Sequence, residues 1–209
     1  GLLVSGEKLR VPAGAGNALR YLRIAHATLV PGWALTPSGA PQQPDAPSLV
    51  VEIANMEVRI EYAIVGGLRT HEGAKLDLTD SILDATHIDG VASAGLDGLA
   101  LGASLSMQGC TSIGKLHAAS MPLISDSILL AALADADTWP APIRAQQKQS
   151  GCVRFSWLPL SARTPRRYRC QPVADAPPVS PRLLSTRYGT PIYCWLSART
   201  PDAIRRGAE

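Results

Sequence analysis

Residues 78–83 read Leu78-Thr79-Asp80-Ser81-Ile82-Leu83: an apolar residue, two variable residues, a small residue and two apolar ones. The pattern recurs along the chain, with small polar or β-branched residues at some of the last positions. Its other copies are Ile24-Ala25-His26-Ala27-Thr28-Leu29, Ile60-Glu61-Tyr62-Ala63-Ile64-Val65, Met107-Gln108-Gly109-Cys110-Thr111-Ser112 and Ile124-Ser125-Asp126-Ser127-Ile128-Leu129. The small positions form a structural ladder: Ala27, Ala63, Ser81, Cys110 and Ser127. A signature that recurs in this way predicts a repeat architecture.

The small positions are separated by 36, 18, 29 and 17 residues. One turn of a parallel β-coil needs roughly 20 residues, which is within the range of solenoid repeats. The spacing therefore predicts near-minimal coils alternating with coils that carry an inserted loop. We expect one double step between Ala27 and Ala63.

The composition favours short strands over long helices. The chain is 46% hydrophobic and 18% charged, with 18 Gly, 17 Pro and one Phe, which suits many strands joined by tight turns. A single coil cannot bury its apolar face, but stacked coils bury a continuous column. We predict an all-β fold, a right-handed single-stranded parallel β-helix with loop excursions and a C-terminal cap or extension. A β-sandwich is the alternative, because it also has alternating strands.

The chain divides by composition after residue 158. Residues 1–158 hold the repeats and are predicted to form the parallel β-helix. Residues 159–209 are rich in arginine and proline, and we predict a cap or a continuation of the solenoid there, since a solenoid needs a polar cap on its last coil.

One line of residues is a candidate for chemistry. The residue before each small position is His26, Tyr62, Asp80, Gly109 or Asp126. If the coils stack in order, Asp80 and Asp126 lie two coils apart, at roughly 9 to 10 Å. That is near the carboxyl separation of an inverting glycosidase. The competing interpretation is that an Asp before a bend satisfies local backbone amides, and we favour that one.

The sequence lacks the common motifs of metal binding, cofactor binding and nucleophilic catalysis. The sequence has no HExxH, CxxC, GxGxxG, Walker loop or GxSxG, so no metal and no cofactor is predicted. Cys152, Cys170 and Cys194 are compatible with one disulfide or with free thiols.

The charge and the hydropathy restrict the partners. The net charge of +3 does not favour nucleic acid. Four arginines near the C-terminal end are candidate contacts for an acidic partner: Arg163, Arg166, Arg167 and Arg169. No apolar stretch is long enough for a membrane span. A cytoplasmic assembly is the favoured location, although the sequence has no signal that decides it.

Five segments carry a resemblance to a known family. They are Ala27-Thr28-Leu29-Val30-Pro31-Gly32, Asp80-Ser81-Ile82-Leu83-Asp84-Ala85-Thr86, Gly151-Cys152-Val153-Arg154-Phe155-Ser156, Arg167-Tyr168-Arg169-Cys170-Gln171-Pro172 and Ile204-Arg205-Arg206-Gly207-Ala208-Glu209. Through them the chain resembles a family of large, mostly uncharacterised bacterial proteins associated with gene clusters for phage-tail-like contractile particles. The resemblance implies a β-helical part near the end of a longer polypeptide, and it brings no catalytic motif.

Together these features predict a non-catalytic module with a structural or surface-recognition role in a larger bacterial, phage-tail-like assembly. Its partners would be other proteins of the assembly or a cell-surface glycan. The alternative is a polysaccharide lyase or hydrolase that uses Asp80 and Asp126 on one face.

Overall fold

The computed structural model describes residues 1–174 and 176–205, and these residues are nearly all in strands, turns and loops. The strands are β1 (Leu2–Val4), β2 (Leu9–Val11), β3 (Tyr21–Ala25), β4 (Ala27–Leu29), β5 (Pro47–Val51), β6 (Glu57–Glu61), β7 (Ile64–Val65), β8 (Gly67–Thr70), β9 (Lys75–Thr79), β10 (Ile82–Asp84), β11 (Val91–Ala94), β12 (Ser104–Gln108), β13 (Thr111–Ile113), β14 (Lys115–Ser125), β15 (Ile128–Leu130), β16 (Ile143–Arg154) and β17 (Arg166–Tyr168). Within the described ranges the single helix is α1 (Asp202–Arg205).

The strands form two sheets in which neighbours follow each other at regular steps along the chain. One sheet has six strands in the order β1-β4-β7-β10-β13-β15. The other runs β2-β5-β8-β11-β14-β12-β9-β6-β3, and β16 and β17 extend it beyond β14. Strand β14 belongs to both arms of this sheet, because its first residues pair with β11 and its last with β12. The second sheet therefore curls, and three rows of parallel strands surround one core.

All named strand pairs in the described part of the chain are parallel, for example β6 with β9 and β10 with β13. Antiparallel contact there is confined to isolated bridges, Leu35 with Pro41 and Leu183 with Leu196. A β-sandwich of antiparallel strands is not what these residues form.

The core consists of apolar columns that run across the coils. Residues in register along one column are all buried: Ile24, Ile60, Leu78, Met107, Ile124 and Val153. Burying one such side chain contributes about 1.5–3 kcal/mol. The column therefore makes each coil depend on its neighbours, as expected from the alternation of the sequence.

The step from Ala27 to Ala63 differs from the prediction. Thr28 pairs directly with Ile64, so the two copies lie on adjacent coils and the double step is wrong. The additional residues form the excursion 31–46, where most backbone hydrogen bonds are internal, although Trp33 O accepts from the Gly6 amide. Spacing alone could not distinguish a long loop from a missing repeat.

Parallel pairing continues past residue 158, where the composition changes. Strand β17 pairs with the end of β16, and single bridges join Arg163 to Arg144 and Gln171 to Trp157. These contacts are continuous with the ladder, and the domain boundary at 158 stays a prediction.

Residues 172–205, without residue 175, form an extension that folds back towards earlier coils. Its Arg187 donates hydrogen bonds to the carbonyl oxygens of Ser38 and Gly39, and its Tyr193 donates to Asp84. Within the described residues, no helix has the length and apolar character required to cross a membrane.

Candidate functional site

The bend between the second and the first sheet is built in the same way in every coil. His26, Tyr62, Asp80, Gly109 and Asp126 all have left-handed backbone conformations, with φ between 45° and 62°. This conformation turns the chain sharply and directs the next residue into the core. The sequence identified the line, but the left-handed conformation was visible only in the structure.

Two further residues belong to this bend line and were missed. Phe155 and Arg169 also have φ near 50°, and each precedes a buried small residue, Ser156 or Cys170. The segment Val153-Arg154-Phe155-Ser156-Trp157-Leu158 does carry the repeat signature. Tyr62 is an aromatic residue at the same position of a predicted copy, so the copy at Ser156 could have been recognised from the sequence.

The small residues of the ladder are joined by hydrogen bonds that run across the coils. Ser81 Oγ accepts from the Ala63 amide at 3.1 Å and donates to Thr79 O at 2.7 Å. Ser127 Oγ does the same for the Cys110 amide and Ser125 O.

The pattern continues beyond the predicted ladder. Ser156 Oγ accepts from the Ser127 amide at 3.1 Å. Cys110 takes part as well, and burial raises the pKa of its thiol to about 11. The buried amides of Ala63, Cys110 and Ser127 thus find their partners on the next coil, which is why a small side chain with an acceptor is favoured there.

The two candidate acids, Asp80 and Asp126, are exposed on the bend line. Gly109 lies between them, because the strand before it pairs with the strands that lead to both acids. A Cβ added to Gly109 would lie 2.5 Å from Asp80 Oδ1, so the Asp80 carboxylate leans into the space that a side chain at 109 would fill.

The Asp126 carboxylate is hydrogen-bonded to the residue before it in the chain. Its Oδ2 accepts from Ser125 Oγ at 2.5 Å, and Arg154 Nε donates to the same hydroxyl at 3.1 Å. A cavity of about 220 Å3 opens beside Asp126, between the last coils and helix α1. Its wall includes Trp157 and Arg205.

The four candidate arginines have different surroundings. Arg167 is in register with Val153, at the apolar position of the core column. Its guanidinium donates to Ala162 O at 2.5 Å and to Thr164 Oγ1 at 3.3 Å, and burial lowers its pKa. Arg167 therefore closes the end of the core, whereas the side chains of the other three are exposed: Arg163, Arg166 and Arg169.

A buried polar cluster lies under the excursion 131–142. Lys115 Nζ is 2.5 Å from Asp137 Oδ1 and 5.2 Å from the centre of the Trp139 ring. Hydrogen bonding from Lys115 lowers the pKa of Asp137. The ion pair and the indole fix the excursion to β14.

His117 belongs to the same cluster. Its Nδ1 lies 2.8 Å from Leu99 O, so Nδ1 carries the proton, because a carbonyl can only accept. Its Nε2 is buried and has no hydrogen-bond partner in the described residues. Burial lowers the pKa of His117.

A second missed feature is Asp84, at the end of β10. It is 1% exposed, and its carboxylate accepts from Tyr193 OH at 2.6 Å and from the Thr86 amide at 2.7 Å. Burial raises its pKa. No sequence signal marked this residue, because its main partner is 109 residues away.

All four cysteines are free thiols in the structure: Cys110, Cys152, Cys170 and Cys194. Among the described residues no three His, Cys, Asp or Glu side chains converge to hold a metal ion.

Comparison of the chain with protein-family models, curated proteins and solved structures gives no match.

Proposed function

We propose that the chain is a right-handed parallel β-helix that serves as a structural or surface-recognition module. Support for the coil architecture comes from the regular strand order and from the stacked bends. The right hand is the one found for almost all crossovers between parallel strands of one sheet. As in the sequence-based prediction, the module would act in a larger bacterial assembly, and the phage-tail-like setting depends on the family resemblance alone.

The observation that carries the proposal is the hydrogen-bonded column of small residues inside the bends. Neighbouring coils are joined by backbone pairing and apolar stacking, and from Ala63 onward also by buried Ser or Cys side chains. Such a rod holds its outer face in a fixed geometry. Along the bend line, that face displays rings and charges, including the stacked pair His26 and Tyr62 with centroids 5.1 Å apart.

A recognition module should bind its polysaccharide or surface ligand without cleaving it. We would incubate the protein with a panel of acidic and neutral polysaccharides and with surface extracts, measuring both retention and release of new chain ends. Retention that is weakened by Tyr62→Ala, with no new chain ends, supports a recognition module. Chain cleavage that disappears in Asp80→Asn would overturn it.

The alternative is a polysaccharide-active enzyme that uses Asp80 and Asp126, two exposed carboxylates on strands separated by one other. Two strand spacings, roughly 9 to 10 Å, are near the carboxyl separation of an inverting glycosidase. The same panel tests this candidate, since it requires cleavage to be lost in both Asp80→Asn and Asp126→Asn.

A further inference from the structure

The carboxylate of Asp84 is buried without a compensating positive charge. Tyr193 and the Thr86 amide donate to it. Among residues 1–174 and 176–205, the ion pairs involve other acids: Glu52, Glu61, Glu57, Asp137 and Asp202. An ionised carboxylate in such a place is costly unless a cation or further hydrogen bonds accompany it.

Asp84 also forms part of the wall of a cavity. This cavity, of about 130 Å3, lies between the excursion 31–46 and the C-terminal extension. The space is sufficient for several water molecules or for a small organic ligand.

The remaining wall is mainly apolar. Pro31, Leu35 and Pro41 line it on the side of the excursion, and the Tyr188 side chain lines it on the side of the extension. A carboxylate beside aliphatic and aromatic side chains is complementary to a cation on a short hydrocarbon chain.

We propose that this cavity binds a small primary alkylammonium compound, with its ammonium group on Asp84 and its alkyl chain against Leu35 and Pro41. The site is independent of the bend line and of the proposed recognition function. It is formed only when the extension is docked, so the ligand would bind both parts of the chain at once.

Arg187 is the one positive side chain on the cavity wall. It is exposed, and it donates to Ser38 O and to Gly39 O. Its charge therefore faces these carbonyls and the solvent, where it is screened. A ligand with a carboxylate at its far end would meet this guanidinium, so a zwitterion of the same length serves as a second probe.

The site has a defined pH dependence. Binding needs ionised Asp84, whose pKa is raised by burial, while the Tyr193 and Thr86 hydrogen bonds and His87 oppose that shift. Cys194 faces the same group, and burial raises its own pKa to about 12. Affinity for an alkylammonium ion should therefore increase as the pH rises through the raised pKa of Asp84.

The experiment is a titration with n-propylammonium chloride, followed by NMR shifts of the amides of Thr86 and Tyr188. We expect saturable shifts in the wild-type protein, and none with 1-propanol, the neutral analogue of the same length. Asp84→Asn should weaken binding by at least about tenfold. Asp80→Asn, an exposed acid outside the cavity, should bind as the wild type does. β-Alanine, the zwitterion of the same length, should bind at least as tightly as propylammonium if its carboxylate contacts Arg187. The test of the proposal is the propylammonium titration.

A second variant is needed because Asp84→Asn could lose binding through misfolding alone. Leu35→Phe fills the cavity and leaves the hydrogen bonds of Asp84 in place, so binding should be lost while the wild-type unfolding midpoint is retained. The proposal is overturned if wild-type protein shows no saturable shifts, if 1-propanol gives the same shifts, or if folded Leu35→Phe binds as the wild type does.

Discussion

A left-handed residue followed by a small buried residue determines the course of the chain at every bend. The left-handed position accepts His, Tyr, Asp, Gly, Phe or Arg, because its side chain points towards solvent or packs loosely. The small position is more restricted, since it lies in the core and its amide must be paired. The structural constraint at the bends therefore falls mainly on the small residue.

We expect Ser127→Ala to destabilise the protein by about 1–3 kcal/mol, the cost of leaving a buried polar group unpaired. The substitution removes the acceptor of the Cys110 amide. Ser127→Cys should lose less, because Cys110 fills the same position one coil earlier. Urea unfolding would measure both.

Ser150→Ala provides the control, since Ser150 is exposed on β16 and its loss should change stability by less than about 0.5 kcal/mol. Equal midpoints for Ser127→Ala and Ser150→Ala would contradict the role of the column.

Substitutions of Gly109 should separate the cost of its conformation from that of its contacts. Its φ is 62°, so Gly109→Val places a β-branched residue where such residues are outliers, at a cost of about 1–2 kcal/mol. Gly109→Asn should cost less, because Asn tolerates this region. Thermal unfolding that ranks Val as no worse than Asn would show that the bend relaxes.

At the scale of elements, the core column ends at strand β17, where an arginine replaces the apolar residue of the earlier strands. Strand β17 repeats the pairing of the earlier strands, but Arg167 stands where the preceding coils of the column have apolar residues. Its guanidinium bonds to the loop before it, so the last coil presents polar groups at its end. The continuous coil and the cap are thus parts of one segment.

Arg167→Ala should therefore destabilise the protein by about 1–3 kcal/mol, because it removes hydrogen bonds and packing at the end of the core. The neighbouring Arg166→Ala, on the exposed side of the same strand, should have an effect below about 0.5 kcal/mol. Unfolding in urea compares them directly. If Arg166→Ala proved the more harmful, the end of the core would have to lie elsewhere.

At the scale of the whole molecule, the extension connects the last coils with early ones. Tyr193→Phe removes a hydrogen bond to a buried carboxylate, and such bonds contribute about 1.5–3 kcal/mol. We expect the extension to be cleaved faster in limited proteolysis while the coils stay intact. Tyr188→Phe is the matched control, and it should leave the cleavage rate unchanged. Faster cleavage within β6 or β9 instead would indicate general unfolding.

Acidification should weaken the attachment of the excursion 131–142. Burial depresses the pKa of His117 below its ordinary 6.5, so the unfolded chain takes up the proton first. The stability contributed by neutral His117 is therefore present above pH 6.5 and is lost as the pH falls towards the folded-state pKa.

The test compares wild type with His117→Gln, whose amide can still donate to Leu99 O. Between pH 7.5 and 5.5 the wild type should lose more stability than the variant, as measured by urea midpoints. Arg144 opposes a charged His117, whereas the Leu99 carbonyl and Asp97 favour it. Parallel pH profiles of the two proteins would show that His117 is protonated equally in both states.

Much of the parallel strand pattern could be predicted because its determinants are local. Ser81 and Ser127 recur in the same short pattern, and apolar alternation assigns the inward side chains without any knowledge of distant residues. Of the two later copies, the one at Ser156 carries the same signature and could have been recognised, whereas the one at Cys170 has Arg167 where the others have an apolar residue. The step between Ala27 and Ala63 was misjudged because a loop and a coil of similar length look alike in spacing.

The sequence by itself determined the parallel, all-β character of the chain and the line of bends, since these follow from residues a few positions apart. Only the tertiary structure showed that the Asp80 carboxylate leans over Gly109, that Asp84 is buried under Tyr193 and that the Arg167 guanidinium bonds to the loop before β17. Each of these depends on which coil lies beside which and on where the extension returns. Such contacts join residues far apart in the chain, and the packing of the whole molecule decides them.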